Sequence, residues 1–214
     1  MKKTLLITAC LLLLIAFAPN AKAQEWNTGL DIYSSYVWRG AKFGTGPAFQ
    51  PTVEFSTGGF AIGAWGSYSA GSEEAAEADL YAGYSFELGE KSSLSFTLTD
   101  YYFPGSEWMN GKSHYIEPMV SLGISSFTLT GAYMMNDGAG DIYLEAGLTA
   151  GPVDLTLGGG DGAYTMDGEF NICNIGISTS KEIKITDSFS LPISGAAILN
   201  PSSEQFHIVV GISL

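Results

Sequence analysis

Two histidines, a single arginine and 22 acidic residues are the side chains of this sequence with the most chemical scope. Nucleophilic hydrolysis needs a histidine beside a serine or similar group, held in orientation by a third residue. The two histidines stand six strands apart in the strand pattern of the chain, too far round a ring to build one site together, and either alone has only a nearby serine, Ser113 for His114 and Ser202 or Ser203 for His207. Both histidines read better as ordinary hydrogen-bonding residues, so no catalytic residue is assigned and no enzyme is expected. The acidic groups Glu73, Glu74 and Glu77, Asp137 and Asp141, and Asp161, Asp167 and Glu169 invite a calcium reading. None has the ligand spacing of a twelve-residue calcium loop, so solvated loop charge is the better account and no metal or cofactor is expected. Gly158-Gly159-Gly160 lacks the Lys-Ser/Thr of a phosphate loop, and Cys173 reads as a small apolar filler.

These groups must be carried by some framework, and composition limits which. Charged residues make up 14% of the 214, against about 25% in ordinary domains, and there are 27 glycines, 12 Phe, 11 Tyr and 4 Trp. Few charges and many aromatics disfavour disorder. Abundant glycine disfavours a helical bundle. Lys2 and Lys3 precede the apolar run Leu5 to Ala18, followed by Pro19 and the small-residue triplet Ala21-Lys22-Ala23. Residues 1–23 are therefore expected to be a cleaved secretory signal peptide, and 24–214 the mature domain. Without that leader only 6 basic residues remain against 22 acidic ones, which excludes nucleic acid as a partner. Cys173 is then the sole cysteine, so no internal disulfide is possible.

Along the mature chain the recurring pattern is alternation of period two, the mark of strands with unlike faces. Ala78, Leu80, Ala82, Tyr84, Phe86 and Leu88 fall on one face, and Asp79, Tyr81, Gly83, Ser85 and Glu87 on the other. The pattern predicts twelve strands: 27–38, 48–56, 60–69, 78–88, 92–103, 113–124, 127–135, 141–150, 153–159, 169–180, 188–198 and 205–214. Connections after strands 2, 4, 6 and 8 are tight, as in Thr57-Gly58-Gly59 and Gly151-Pro152. Those after strands 1, 3, 5 and 9 are longer, as in Arg39 to Pro47 and Pro104 to Lys112. Tyr36, Trp38, Tyr68, Tyr101, Tyr102, Tyr115, Tyr133 and Tyr143 fall near the long-loop ends, and Phe55, Phe60, Phe86, Phe127 and Phe189 near the tight turns.

Loop lengths sorted by parity, two aromatic girdles and strands of about ten residues, long enough to cross a ~25 Å apolar band, describe a transmembrane antiparallel up-and-down β-barrel. Backbone groups in hydrocarbon must all be paired, so the barrel must close. A secreted two-sheet sandwich is the alternative, but it has no reason to sort its loops this way. The bacterial outer membrane is the expected location, with its lipid, lipopolysaccharide and barrel-assembly machinery as expected partners.

Three runs carry a family resemblance. Tyr33-Ser34-Ser35-Tyr36-Val37-Trp38-Arg39-Gly40, then Gly46-Pro47-Ala48-Phe49-Gln50-Pro51, then Gly58 through Ser67 follow the patterns S-x-Y-x-x-R-G, P-x-x-Q and G-F-x-x-G-x-W-x-S. They resemble the opening of the TorF-type porins, and the likeness extends over residues 29 to 104. The resemblance implies an outer-membrane barrel and names no substrate. The chain departs from many outer-membrane barrels in ending on Leu214 where they carry an aromatic residue.

If the apolar row faces lipid, the other row faces the lumen. That assigns Gln50, Glu54, Asp79, Tyr81, Glu117 and Glu145 to the pore lining, with Arg39, at the outer end of the first strand, opposing the acids across a constriction. Carboxylates around a pore favour cations, so a cation-favouring channel for passive diffusion of small solutes is expected. Twelve strands lie between side-chain-filled eight-stranded barrels and open sixteen-stranded ones. A plugged structural or adhesion barrel therefore stays open as an alternative, and a lipid-modifying enzyme stands third.

Overall fold

The structure, a computed structural model, describes residues 24–71, 76–136 and 139–214. The expected leader and the loop acids Glu73, Glu74 and Asp137 lie outside the described residues. The chain forms β1 (Glu25–Tyr33), β2 (Tyr36–Trp38), β3 (Ala41–Phe43), β4 (Ala48–Thr57), β5 (Phe60–Ser69), β6 (Ala76–Gly89) and β7 (Ser92–Tyr102). It continues through β8 (His114–Ile124), β9 (Phe127–Asn136), β10 (Ala139–Ala150), β11 (Val153–Gly160), β12 (Asn171–Lys184), β13 (Ser190–Asn200) and β14 (Gln205–Ser213). All strands but β2 and β3 join in one closed antiparallel barrel of twelve, the number and order that the alternation predicts.

Closure comes from β1, which pairs along its whole length with β4 but with β14 only at Asp31↔Ser213, Ile32↔Ile212 and Tyr33↔Gly211. Reciprocal backbone bonds between Leu30 and Leu214, at 3.1 and 3.0 Å, extend this seam. A closed ring leaves no edge strand whose N–H and C=O groups go unpaired.

The burial pattern is inverted relative to a water-soluble domain. Ile62, Leu80, Leu98, Leu129, Leu144, Ile177 and Ile208 are exposed on the outer face, while Gln50, Ser67, Asp79, Glu117 and Asn200 are buried inside. The period-two rule holds strand by strand, with register shifts beside Glu87 and Gly158. At the second shift Gly158 pairs with Asn174 and Gly159 with Ile172, leaving Cys173 as the extra residue, fully buried.

The first predicted strand requires correction. The wall strand stops at Tyr33, and Tyr36–Phe43 forms a separate two-stranded hairpin with pairs Tyr36↔Phe43, Val37↔Lys42 and Trp38↔Ala41. Its side chains touch Trp65 on β5, Tyr101 on β7, Glu117 on β8 and Tyr143 on β10, and its turn backbone meets Asn200 on β13. Those strands stand on opposing sides of the ring, so the hairpin occupies the lumen. Tyr36 and Trp38, expected in the outer girdle, are therefore internal, as is the fully buried Tyr143. Tyr68 and Tyr133 remain exposed on the outer face.

Candidate functional site

The hairpin turns at Arg39-Gly40, both with positive φ (49° and 83°), as a two-residue type I′ turn requires. Glycine adopts this geometry freely, whereas an arginine there bears roughly 1–2 kcal/mol of local strain. What holds Arg39 is its guanidinium, which donates from Nη1 to Glu117 Oε2 at 2.5 Å and from Nη2 to Glu117 Oε1 at 2.9 Å. Nη1 also donates to the Tyr164 hydroxyl at 2.7 Å. Tyr101 and Tyr164 donate to the same carboxylate at 3.1 and 3.0 Å. The guanidinium stacks 4.5 Å from the Trp38 ring centre and 4.3 Å from that of Tyr143.

A planar, bidentate arginine–carboxylate pair is the strongest form of this contact. Burial disfavours the Arg39 charge, but hydrogen bonding to Glu117 and the Glu117 charge more than reverse this, so the pKa stays above the ordinary arginine value. At Tyr164 burial raises the phenol pKa, Arg39 pulls it down and Glu117 pushes it up. The net is upward, which keeps the hydroxyl protonated as a donor. The turn backbone is fixed too: Asn200 Nδ2 donates to the Gly40 carbonyl at 3.2 Å, and Gly40 packs against the carbonyl of the bulged Cys173.

The other expected lining residues fall into separate groups. Gln50 donates to the Ser67 hydroxyl at 3.2 Å, and Tyr81 donates to Glu54 at 2.9 Å. Glu54, Gly63 and Tyr81 stand in one row across β4, β5 and β6, and the Tyr81 ring crosses the space a side chain at Gly63 would occupy. Gly63→Ala is expected to destabilise the protein by about 1–3 kcal/mol through overpacking, read from the urea midpoint of the folded protein in detergent. Glu145 accepts from Tyr143 at 2.6 Å, and Asn174 reaches both at 3.1 and 3.3 Å. Asp79 is buried beside Glu77, and its Oδ1 has no hydrogen-bond partner among the described residues. Arg39 thus meets Glu117 directly and Glu145 through Tyr143. Glu54 and Asp79 belong to other clusters.

Two partly open cavities lie at the long-loop end beside the hairpin. One, of about 230 Å³, is lined by Trp38, Phe43, Tyr101, Phe103, Tyr115 and Tyr164, with Glu77 and Asp141 among its polar groups. A second, about 240 Å³, shares Phe43, Glu77 and Phe103 with the first. Sequence reasoning missed Glu77, Tyr101 and Tyr164 as site residues. Two of them were assigned to a loop and a girdle, and Tyr164 lies in an irregular connection without periodicity. The local signal for the inward hairpin is Arg39-Gly40 itself, a dipeptide between the short segments Tyr36–Trp38 and Ala41–Phe43.

The histidines and loop acids have other engagements. His114 Nδ1 faces both Asp100 oxygens at 2.9 and 3.0 Å, and Nε2 meets the Trp108 carbonyl at 2.8 Å. His207 Nε2 and Ser203 Oγ are each buried with no partner among the described residues, so they are not bonded to each other. Asp141 accepts from Ala163 N–H at 3.0 Å, and Asp161 from Ile142 N–H at 2.6 Å, binding the 161–164 turn to β10. Asp167 accepts from Asn171 and Glu169 within its own loop. Among the described residues no three His, Cys, Asp or Glu groups converge as metal ligands.

No curated protein matches this sequence. Residues 18–178, most of the chain, match the model of a family described as "Bacterial protein of unknown function (Gcw_chp)", and the chain belongs to that family.

Proposed function

We propose that this protein is an outer-membrane barrel acting as a narrow, cation-favouring, porin-like channel for small solutes, held closed by the β2–β3 hairpin. The observation that carries the reading is the inverted wall, with apolar side chains outside and buried polar ones inside a closed ring. A continuous apolar outer belt is costly in water and is the normal surface of a barrel in lipid. The occluding element is a short hairpin, separate from the wall ladder, held by the Arg39–Glu117 ion pair, by hydrogen bonds to Tyr164 and from Asn200, and by ring contacts.

The lock equally favours a second reading, a permanently plugged barrel serving envelope structure or adhesion. Fractionation should recover the protein with outer membranes, with a folded band whose gel mobility changes on heating. In planar bilayers the wild type should give small, intermittent conductance with a reversal potential favouring cations. Silence of both the wild type and a hairpin-displaced variant would support the plugged barrel and reject the channel.

A further inference from the structure

We propose that the 230 Å³ cavity beside the hairpin binds a small organic cation, an amine or quaternary ammonium group. This names the substrate class for the entrance of the proposed channel, and rests on that reading for its biological role but not for the binding itself.

The cavity wall is largely aromatic and takes in the carboxylates Glu77 and Asp141. Aromatic faces carry negative potential, and several converging on one space with an anion beside them are the recognised cage for alkylated ammonium groups. A strongly hydrated inorganic ion gains little from rings that cannot replace its water. An uncharged solute would gain nothing from the acidic side of the lining, where, among the described residues, buried Glu77 has only Tyr36 and Asp79 as side-chain partners and Asp141 is partly exposed. Glu77 and its neighbour Asp79 are each more than nine-tenths buried. Among the described residues neither they nor Asp141 form an ion pair. Behind Glu77 lies Asp79, hydrogen-bonded to it and with Oδ1 unpartnered among the described residues, outside the cavity lining itself.

The same lumen already holds one organic cation in this manner. Arg39 lies against the rings of Trp38, Tyr143 and Tyr164 with Glu117 as its anion. Trp38 and Tyr164 also line the cavity, so it adjoins the ring set that stabilises the arginine. The volume is below the ~300 Å³ at which drug-sized pockets begin, which restricts the ligand to a compact group.

The test compares choline with its neutral carbon isostere, 3,3-dimethyl-1-butanol, by calorimetric titration of the folded full chain in detergent. Choline should bind and the isostere should bind at least about tenfold more weakly, since the neutral carbon gains nothing from the negative ring faces. Tyr115→Leu and Glu77→Gln should each weaken choline about tenfold or more, with heat-modifiable mobility reporting that the variants are folded. Neither residue contacts Arg39, so loss in both variants points to the cavity. Equal binding of choline and isostere, no choline binding, or displacement of choline by equimolar potassium would overturn the proposal. A bilayer-silent protein that still discriminates choline from the isostere would reject the channel and leave the cation site standing.

Discussion

Replacing Glu117 by alanine should lower the unfolding free energy of the folded protein by about 3–5 kcal/mol, the usual cost of stranding one member of a buried ion pair. Glu117 is 1% exposed and accepts two bonds from Arg39, one from Tyr101 and one from Tyr164. Alanine leaves the guanidinium without its carboxylate and removes the acceptor from two buried phenols. Arg39→Ala in the same chain removes the stranded charge, so the double variant should recover part of the loss, and the cycle gives the coupling energy directly. Urea unfolding in detergent, followed by tryptophan emission, measures both. A cost below about 1 kcal/mol, the range of solvent-exposed pairs, would show that the latch is not buried as described.

Gly40→Val has the larger expected effect on conduction. Gly40 has a φ of +83°, and an added Cβ would fall on the carbonyl oxygen of Cys173, a backbone atom of the β12 bulge that cannot swing aside. A β-branched residue in the left-handed region is a strong outlier even in open space. The turn therefore cannot seat, and Arg39 leaves the lumen with it. The twelve wall strands contribute nothing to this clash except that one carbonyl, so heat-modifiable mobility should be kept while single-channel conductance rises severalfold over the wild type. A folded variant with unchanged conductance would mean that the hairpin does not obstruct the path.

The strand framework was legible because alternation is a local property. Leu94, Phe96 and Leu98 lie on one face of β7 whatever they meet, and the turns at Gly58-Gly59 and Gly151-Pro152 fall where the strands end. The same parity puts Gln50, Glu54, Asp79, Tyr81, Glu117 and Glu145 on the other row, of which Gln50, Asp79 and Glu117 are buried. The hairpin was not legible. Leu30, Ile32, Tyr36 and Trp38 keep one period across Ser34-Ser35, so nothing local distinguishes a wall strand that continues from one that bends inward.

The sequence by itself determined a twelve-stranded, alternating wall with most of its acids on one face, Asp100 on the row of Leu98 being an exception, because side-chain direction in a strand depends only on position along the chain. Arg39 was expected to face these acids across the lumen, but the tertiary structure alone decided that it does so from the turn of an inward hairpin and that Glu117 is the acid it meets. Residues 39 and 117 meet because the ring closes around the hairpin, and closure is a property of all twelve strands together. Only there can a cation be shielded from water on several sides at once, by Glu117 and the rings of Trp38, Tyr143 and Tyr164.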